Sequence, residues 1–304
     1  MKFPGCSSII LGIIVLFLWC MKDGTRSKID EAEKKVQILE ELEKNCISIP
    51  PSLPADPQND GKIIYVSGLI TTDERLHDEE FELNGIHAVK FGRAVEMYQW
   101  QEYDSETESS PNKEYKKVWS PISINSNEFE NSRDHFNPPF KISDKHLEAE
   151  HVMIGKLPIS GELLSLAPVT PYEFATHYRN PKIAERIFLK GEEPENPEIG
   201  DHRVSFYILR SHVGVSAIAR QENGILSGNS LSAECDLEPS ITHTMSLKDM
   251  WKDLRGKYEF RKSFFKGIKE SLSYVLIFVI ILFVLHLISD QKDEAQKDEA
   301  QKDK

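Results

Sequence analysis

Apolar and polar residues alternate most regularly between Val89 and Tyr103. Val89, Phe91, Val95 and Met97 share one parity and Lys90 and Glu96 the other, the period of a strand with one buried face. β-Branched and aromatic side chains suit such a pleated surface. After Met97 the large residues change parity, to Tyr98 and Trp100, and a slip of one residue turns every side chain to the opposite face. The pattern therefore predicts a bulge near Tyr98 or a break at Gly92, with Tyr98 and Trp100 packed against a neighbouring element.

Further strands are predicted at Ile63–Ile70, Tyr115–Ile124, Val152–Gly155, Arg186–Leu189, Arg203–Leu209 and Val213–Arg220. Tyr115–Ile124 returns beside Val89–Tyr103 across an exposed acidic loop, Asp104–Asn112. The last two strands are close enough to form a hairpin, and Asn223-Gly224 is the strongest turn signal in the chain. A helix is expected between Gly161 and Tyr178. Another runs from Thr25 to Cys46 on a stripe of Ile29, Ala32, Val36, Leu39 and Cys46, and the prolines between Ile49 and Pro57 end it. From Ser246-Leu247-Lys248-Asp249 onward, Met250, Trp251, Leu254, Tyr258, Phe265 and Ile268 recur at helical spacing among seven Lys and Arg residues. Such a basic helix either lies in a headgroup region, with Trp251, Tyr258, Phe264 and Phe265 at the membrane interface, or packs on its own domain.

Two runs are predominantly apolar. Phe3–Met21 is long enough for a membrane helix, and Trp19-Cys20-Met21-Lys22 lacks the small residues of a signal-peptide cleavage site, so an uncleaved anchor is expected. Leu272–Ile288 covers about 26 Å, the thickness of an endoplasmic-reticulum bilayer. His286, close to its end, is expected to snorkel to water. The Gln-Lys-Asp-Glu-Ala repeat that follows is too polar to bury a core.

The resulting fold class is α+β: a largely antiparallel β-rich domain with helices, held between two transmembrane helices. Its expected parts are a transmembrane helix (1–21), an amphipathic helix (22–49), a Pro-rich linker (50–60), the β-rich domain (61–236), the basic membrane-proximal helix (237–270), a second transmembrane helix (271–289) and a charged tail (290–304).

A net charge of -12 argues against nucleic-acid binding. Cys46 and Cys235 are either paired in an oxidising lumen or separate structural residues. Phosphate loops, nucleotide fingerprints and Gly-x-Ser-x-Gly are missing. His135, His146 and His151 lie near Glu148 and Glu150, without the spacing that sets two ligands on one helical face. Asp201-His202 lacks a nucleophile, and the acid pairs Glu79-Glu80 and Glu192-Glu193 suit solvated loops. No catalytic residue, cofactor or metal is expected.

Several fragments, in order, resemble one family. Val95-Glu96-Met97-Tyr98-Gln99-Trp100, Pro197-Glu198-Ile199-Gly200-Asp201 leading into Arg203-Val204-Ser205-Phe206, and Ile218-Ala219-Arg220-Gln221 are similar to the transmembrane protein 43 (LUMA) family. Asp23-Gly24-Thr25-Arg26, Ala88-Val89-Lys90 and Ile124-Asn125-Ser126 extend the likeness over residues 10–225. The resemblance implies a multi-pass protein of the endoplasmic reticulum and the nucleus inner membrane, with its large domain in the lumen. It also implies a non-enzymatic scaffold of the nuclear envelope, with emerin and lamins as partners beside membrane lipid. Homo-oligomers are compatible with it. The family usually has further spans after the second. Lysines and arginines flanking the two runs point the other way, with the domain in the cytosol, but long loops translocate regardless of charge and the luminal expectation is kept. Rival readings are a membrane-tethered lipid- or ligand-binding module and a membrane hydrolase; an apolar pocket would mark the first and converging histidines and acids the second.

Overall fold

The computed structural model describes residues 6–104, 113–172, 187–189 and 196–302. Most of the acidic loop, Glu192-Glu193, the end of the expected 161–178 helix and the side chain of His286 lie outside what is described. The chain divides into two units. One comprises Met1–Cys46, Ser232–Leu237 and Leu247–Lys304, and the other Ile47–Leu231 and Glu238–Ser246. The Pro-rich stretch thus belongs to the β-rich unit rather than linking two domains. Pro51 is tied into it, its carbonyl accepting from the Lys156 amide at 2.8 Å.

The helical unit is built on α1 (Cys6–Asn45) and α3 (Leu247–Lys302). Each runs unbroken from its charged segment into its apolar one. Ala32 and Leu39 of the expected stripe are buried, as are Met250, Trp251 and Leu254. The helices pack antiparallel. Arg255 pairs with Glu43, Lys262 Nζ lies 2.7 Å from Glu33, and Lys35 stands over the Tyr258 ring at 5.4 Å. No disulfide bond joins Cys46 and Cys235.

In the β-rich unit the chain forms β1 (Ile47–Ile49), β2 (Ile63–Thr71), β3 (Leu76–Asp78), β4 (Leu83–Ile86), β5 (Ala88–Asp104), β6 (Lys113–Ser120), β7 (Lys145–Glu148), β8 (Val152–Ile154) and β9 (Leu157–Ile159). The short helix α2 (Gly161–Ser165) follows, then β10 (Thr170–Tyr172), β11 (Ile187–Leu189), β12 (His202–Arg210), β13 (Val213–Glu222), β14 (Ile225–Ser227) and β15 (Ser240–His243). One sheet runs β1-β2-β8-β9-β14-β13-β15 and closes on itself where β13 also pairs with β2. The other runs β10-β12-β5-β6, with β7 on β5 and β11 on β12. Most pairs are antiparallel; β1–β2, β11–β12 and β9–β14 are parallel. The described architecture is α+β.

Each sheet covers its own apolar cluster. Ile64, Val66, Val215, Ala217 and Ala219 belong to the larger, which also takes in Leu163 and Leu164 of α2. Phe91, Val95, Val204, Phe206 and Ile208 belong to the smaller.

Three expectations need correction. β12 and β13 are not a hairpin: β12 pairs with β5, β13 with β2, and Ser211-His212 carries the chain from one sheet to the other. β12 alternates while residues 215–219 of β13 are all buried, and Val204, Phe206 and Ile208 fill the smaller cluster where Val215, Ala217 and Ala219 fill the larger. The expected 161–178 helix stops at Ser165, because Pro168 cannot continue it; Lys90 Nζ then takes the carbonyls of Leu164, Ser165 and Ala167 at 2.8–3.3 Å. Finally, β5 has neither a break at Gly92 nor a bulge at Tyr98. Its register slips only opposite Leu209/Arg210, at Val89.

The turn at Asn223-Gly224 is as expected. Both residues have positive φ, 52° and 77°, and join β13 to β14.

Candidate functional site

β5 brings the resembling fragments together. It pairs with β12 so that Val95 faces Val204, Glu96 faces Arg203 and Met97 faces His202. Just before β12 begins, the Tyr98 amide donates to the Asp201 carbonyl at 2.8 Å, and the Gly200 amide to the Tyr98 carbonyl at 2.9 Å. Gly200 makes this approach with a φ of +98°, a conformation that suits glycine. Asp201 closes the turn by accepting from the Glu198 amide at 2.7 Å. Ala219 and Arg220 stand apart, on β13 in the other sheet. There the Arg220 guanidinium donates to the carbonyls of Gly61 and Leu231.

The odd parity of β5 stays inward past Met97. Phe91, Arg93, Val95, Met97 and Gln99 are all buried. Gln99 is accommodated because its amide is matched: Nε2 donates to the Ile122 carbonyl at 3.0 Å and Oε1 accepts from the Ile124 amide at 2.9 Å. Tyr98 and Trp100 therefore keep to the outer face. Two side chains cover backbone that no strand reaches. Asn137 accepts from the Trp100 amide at 2.7 Å and donates to its carbonyl at 2.9 Å. Asp144 accepts from the Val95 amide at 2.7 Å, in the gap between β7 and β6.

On the outer face a ladder of rings and charges crosses three strands. Glu96 Oε2 accepts from Arg203 Nε at 2.9 Å and lies 2.8 Å from Nη2. The same guanidinium lies 4.9 Å from the Trp119 ring, which is 5.1 Å from Tyr98. Lys117 Nζ stands 4.9 Å over Trp100, and His135 meets Trp100 edge-on at 4.7 Å. His135 also stacks on Tyr115 at 3.7 Å. The Tyr115 hydroxyl donates to Glu102 at 2.8 Å. That bond, with a second from the Glu130 amide, holds the Glu102 carboxyl below its ordinary pKa. Burial, followed by the bond to Glu102, raises that of Tyr115. The rings are half-exposed, and their polar groups are engaged with one another in a cross-braced surface.

The three histidines considered for a metal do not converge. His135 is in the ladder, the His146 ring is hydrogen-bonded to the Tyr207 hydroxyl, and His151 Nδ1 is 2.9 Å from Glu74. Among the described residues no group of three or more His, Cys, Asp or Glu is arranged to hold a metal. His202, beside Asp201, is buried and accepts from the Lys141 amide at 3.4 Å.

Among the four aromatics expected at a membrane interface, Trp251 is fully buried. α3 is continuous, so Trp251 stands about 31 Å along its axis from Leu272 and Tyr258 about 21 Å. Phe264 and Phe265 come nearest, about 10–12 Å away; Phe264 is exposed and Phe265 half-buried.

The buried side chains Arg93 and Asn137 were not singled out from the sequence, and Gln99 only as a member of the resembling fragment. Arg93 and Gln99 share the parity of Phe91 and Met97, so an unbroken period of two marks both. Asn137 carries no local signal.

Within α3, Leu247–Leu285 contains a segment long and apolar enough to cross a membrane, 6% of it buried. A family model described as Transmembrane protein 43 matches residues 97–291, through β5, β12, β13 and this segment. The chain is 30% identical over 175 residues to "Transmembrane protein 43" of Pongo abelii and of Homo sapiens, which covers 53% of this chain and 42% of each relative. It is 29% identical over 188 residues to "Transmembrane protein 43 homolog" of Drosophila melanogaster, 57% of this chain and 48% of that one. The matched stretch is thus less than half of each relative's length. No solved structure matches the chain. With the family model running through well over half its residues, the chain belongs to the transmembrane protein 43 family.

Proposed function

We propose that the chain is a non-enzymatic scaffold of the endoplasmic-reticulum and inner nuclear membranes, anchored by both α1 and α3. The carrying observation is the alignment of the two helices. Glu43 with Arg255, Lys35 with Tyr258 and Glu33 with Lys262 are successive rungs of one antiparallel pair. Continued along the same axes, they bring Ile13–Met21 level with roughly Tyr274–Leu282. Ile13, Leu16, Phe17 and Trp19 are exposed on α1, and Ile277, Phe278 and Ile281 on α3. Apolar faces at one height fit a bilayer crossed twice by a helical hairpin.

In this reading both termini lie on one side of the membrane and the β-rich unit on the other, in the lumen. The partners are proposed on the family resemblance alone. Emerin and lamins would be met on the side of the termini. The half-exposed ladder around Tyr98, Trp100 and Arg203 would be a luminal contact surface.

Protease protection of sealed microsomes tests the topology, with one tag inserted between residues 105 and 112 and another on the tail. The loop tag is expected to survive and the tail tag to be digested. The reverse would make the β-rich unit cytosolic and overturn the luminal assignment.

A further inference from the structure

The corner between β12 and β13 holds two histidines. His212, with a φ of +66°, forms it together with Ser211. His87, just before β5, lies against it, its carbonyl accepting from the Ser211 amide at 3.3 Å. The two imidazole centroids are 5.2 Å apart and the rings are inclined by 56°.

Each ring is anchored by one nitrogen. His87 Nε2 lies 3.3 Å from the Thr72 carbonyl. A carbonyl only accepts, so Nε2 carries the proton and Nδ1 keeps its lone pair. His212 Nδ1 is 3.0 Å from Ser211 Oγ, which in turn accepts from the Thr72 amide at 3.2 Å. Nδ1 of His87 and Nε2 of His212 make no hydrogen bond among the described residues.

We propose that His87 and His212 are the protein ligands of a divalent transition-metal site, suited to Zn²⁺ or Cu²⁺, with water in the remaining positions. Neutral imidazole is a good ligand for both ions. Two imidazoles sharing a tetrahedral ion at about 2.1 Å have centroids roughly 5 Å apart, close to the spacing here. In each ring the outer nitrogen meets a carbonyl or hydroxyl oxygen, the second-sphere bond by which ligating histidines are oriented. The ion would select the Nδ1–H tautomer of His212, with Ser211 Oγ accepting. Bridging the start of β5 to the corner, it would fasten the point where the chain changes sheets. With two protein ligands the ion is weakly held and exchangeable.

The test uses the full chain in detergent micelles, without a polyhistidine tag, and Zn²⁺ in competition with a chromophoric chelator at pH 7.5. One ion per chain is expected, with affinity falling at least tenfold in His87→Gln and in His212→Asn. Asparagine tolerates the left-handed backbone at the corner. His151→Gln, whose ring lies on Glu74, should bind as the parent does. Cu²⁺ should show coupling to two imidazole nitrogens in its electron paramagnetic resonance spectrum, reduced to one in either variant. Should His87→Gln fail to fold, as judged by its melting curve in metal-free buffer, His212→Asn decides alone. Undiminished affinity in that variant, or no binding by the parent chain, would overturn the assignment.

Discussion

Arg93 holds its guanidinium against the carboxylate of Asp78 inside the smaller apolar cluster, the two side chains 2% and 1% exposed. The other Nη pairs with Glu80, Nε donates to the Ser143 carbonyl at 2.9 Å, and the Phe81 ring lies 4.8 Å away. Lys145 Nζ stands 3.6 Å from the second oxygen of Asp78. Charges this deep are tolerated only when matched, and removing one partner leaves the other uncompensated. Arg93→Ala should therefore destabilise the protein by about 3–5 kcal/mol, while Arg93→Leu combined with Asp78→Leu should cost much less than the two changes summed. Urea denaturation of the parent, Arg93→Ala, the two single leucine variants and their combination measures this; strictly additive losses would show that the pair is not coupled.

Gly92 owes its place to Tyr207, its cross-strand partner on β12. A Cβ at Gly92 would lie 2.2 Å from the Tyr207 hydroxyl oxygen and 2.5 Å from the Lys145 carbonyl oxygen. The Tyr207 ring thus crosses the strand over bare backbone to reach His146. Gly92→Ala should cost about 1–3 kcal/mol. Adding Tyr207→Ala should recover only part of this, since the carbonyl contact remains. Full recovery in thermal melts would assign the whole clash to the ring.

Asn137 should matter more to stability than the larger Trp100. It serves both backbone groups of Trp100 and also donates to the Ile124 carbonyl at 3.2 Å. Asn137→Ala leaves these groups unmatched and should cost about 2–3 kcal/mol. Trp100 is half-exposed, so Trp100→Ala should cost less than the roughly 3–5 kcal/mol of a buried tryptophan. Comparing the two denaturation midpoints checks the order.

Stability should fall at both ends of the pH range. The amides of Glu150 and His151 hold the Glu74 carboxyl below its ordinary pKa of 4.5. A depressed carboxyl contributes stability that is present above the unfolded pKa and lost as pH falls through the folded one. Glu74→Gln should reduce the drop in melting temperature below pH 4.5. Burial, followed by the charges of Asp144 and Glu148, raises the Tyr207 hydroxyl above 10.0. Its contribution is complete below the unfolded pKa and lost as pH rises through the folded one, so Tyr207→Phe should flatten the alkaline decline. Melting temperatures across the range would expose a missing dependence on either residue.

Local physics was legible in the residues themselves. The two apolar runs, the alternation of β5 and β2, and the Asn223-Gly224 turn each depend on neighbours a few positions away. Period, run length and positive-φ preference express such dependence directly. Tertiary structure decided what those elements meet. Gln99 faces inward because Ile122 and Ile124, more than twenty residues downstream, return to match its amide, so Tyr98 and Trp100 stay outside without a bulge. β12 and β13 follow one another closely in the chain, and only the two separate clusters determine that Ser211-His212 changes sheets instead of closing a hairpin. The pairing of Arg93 with Asp78 and the approach of His87 to His212 likewise require distant segments to meet. A one-dimensional pattern states which side chains seek burial; the partners that make burial of a charge or an amide favourable come from the fold.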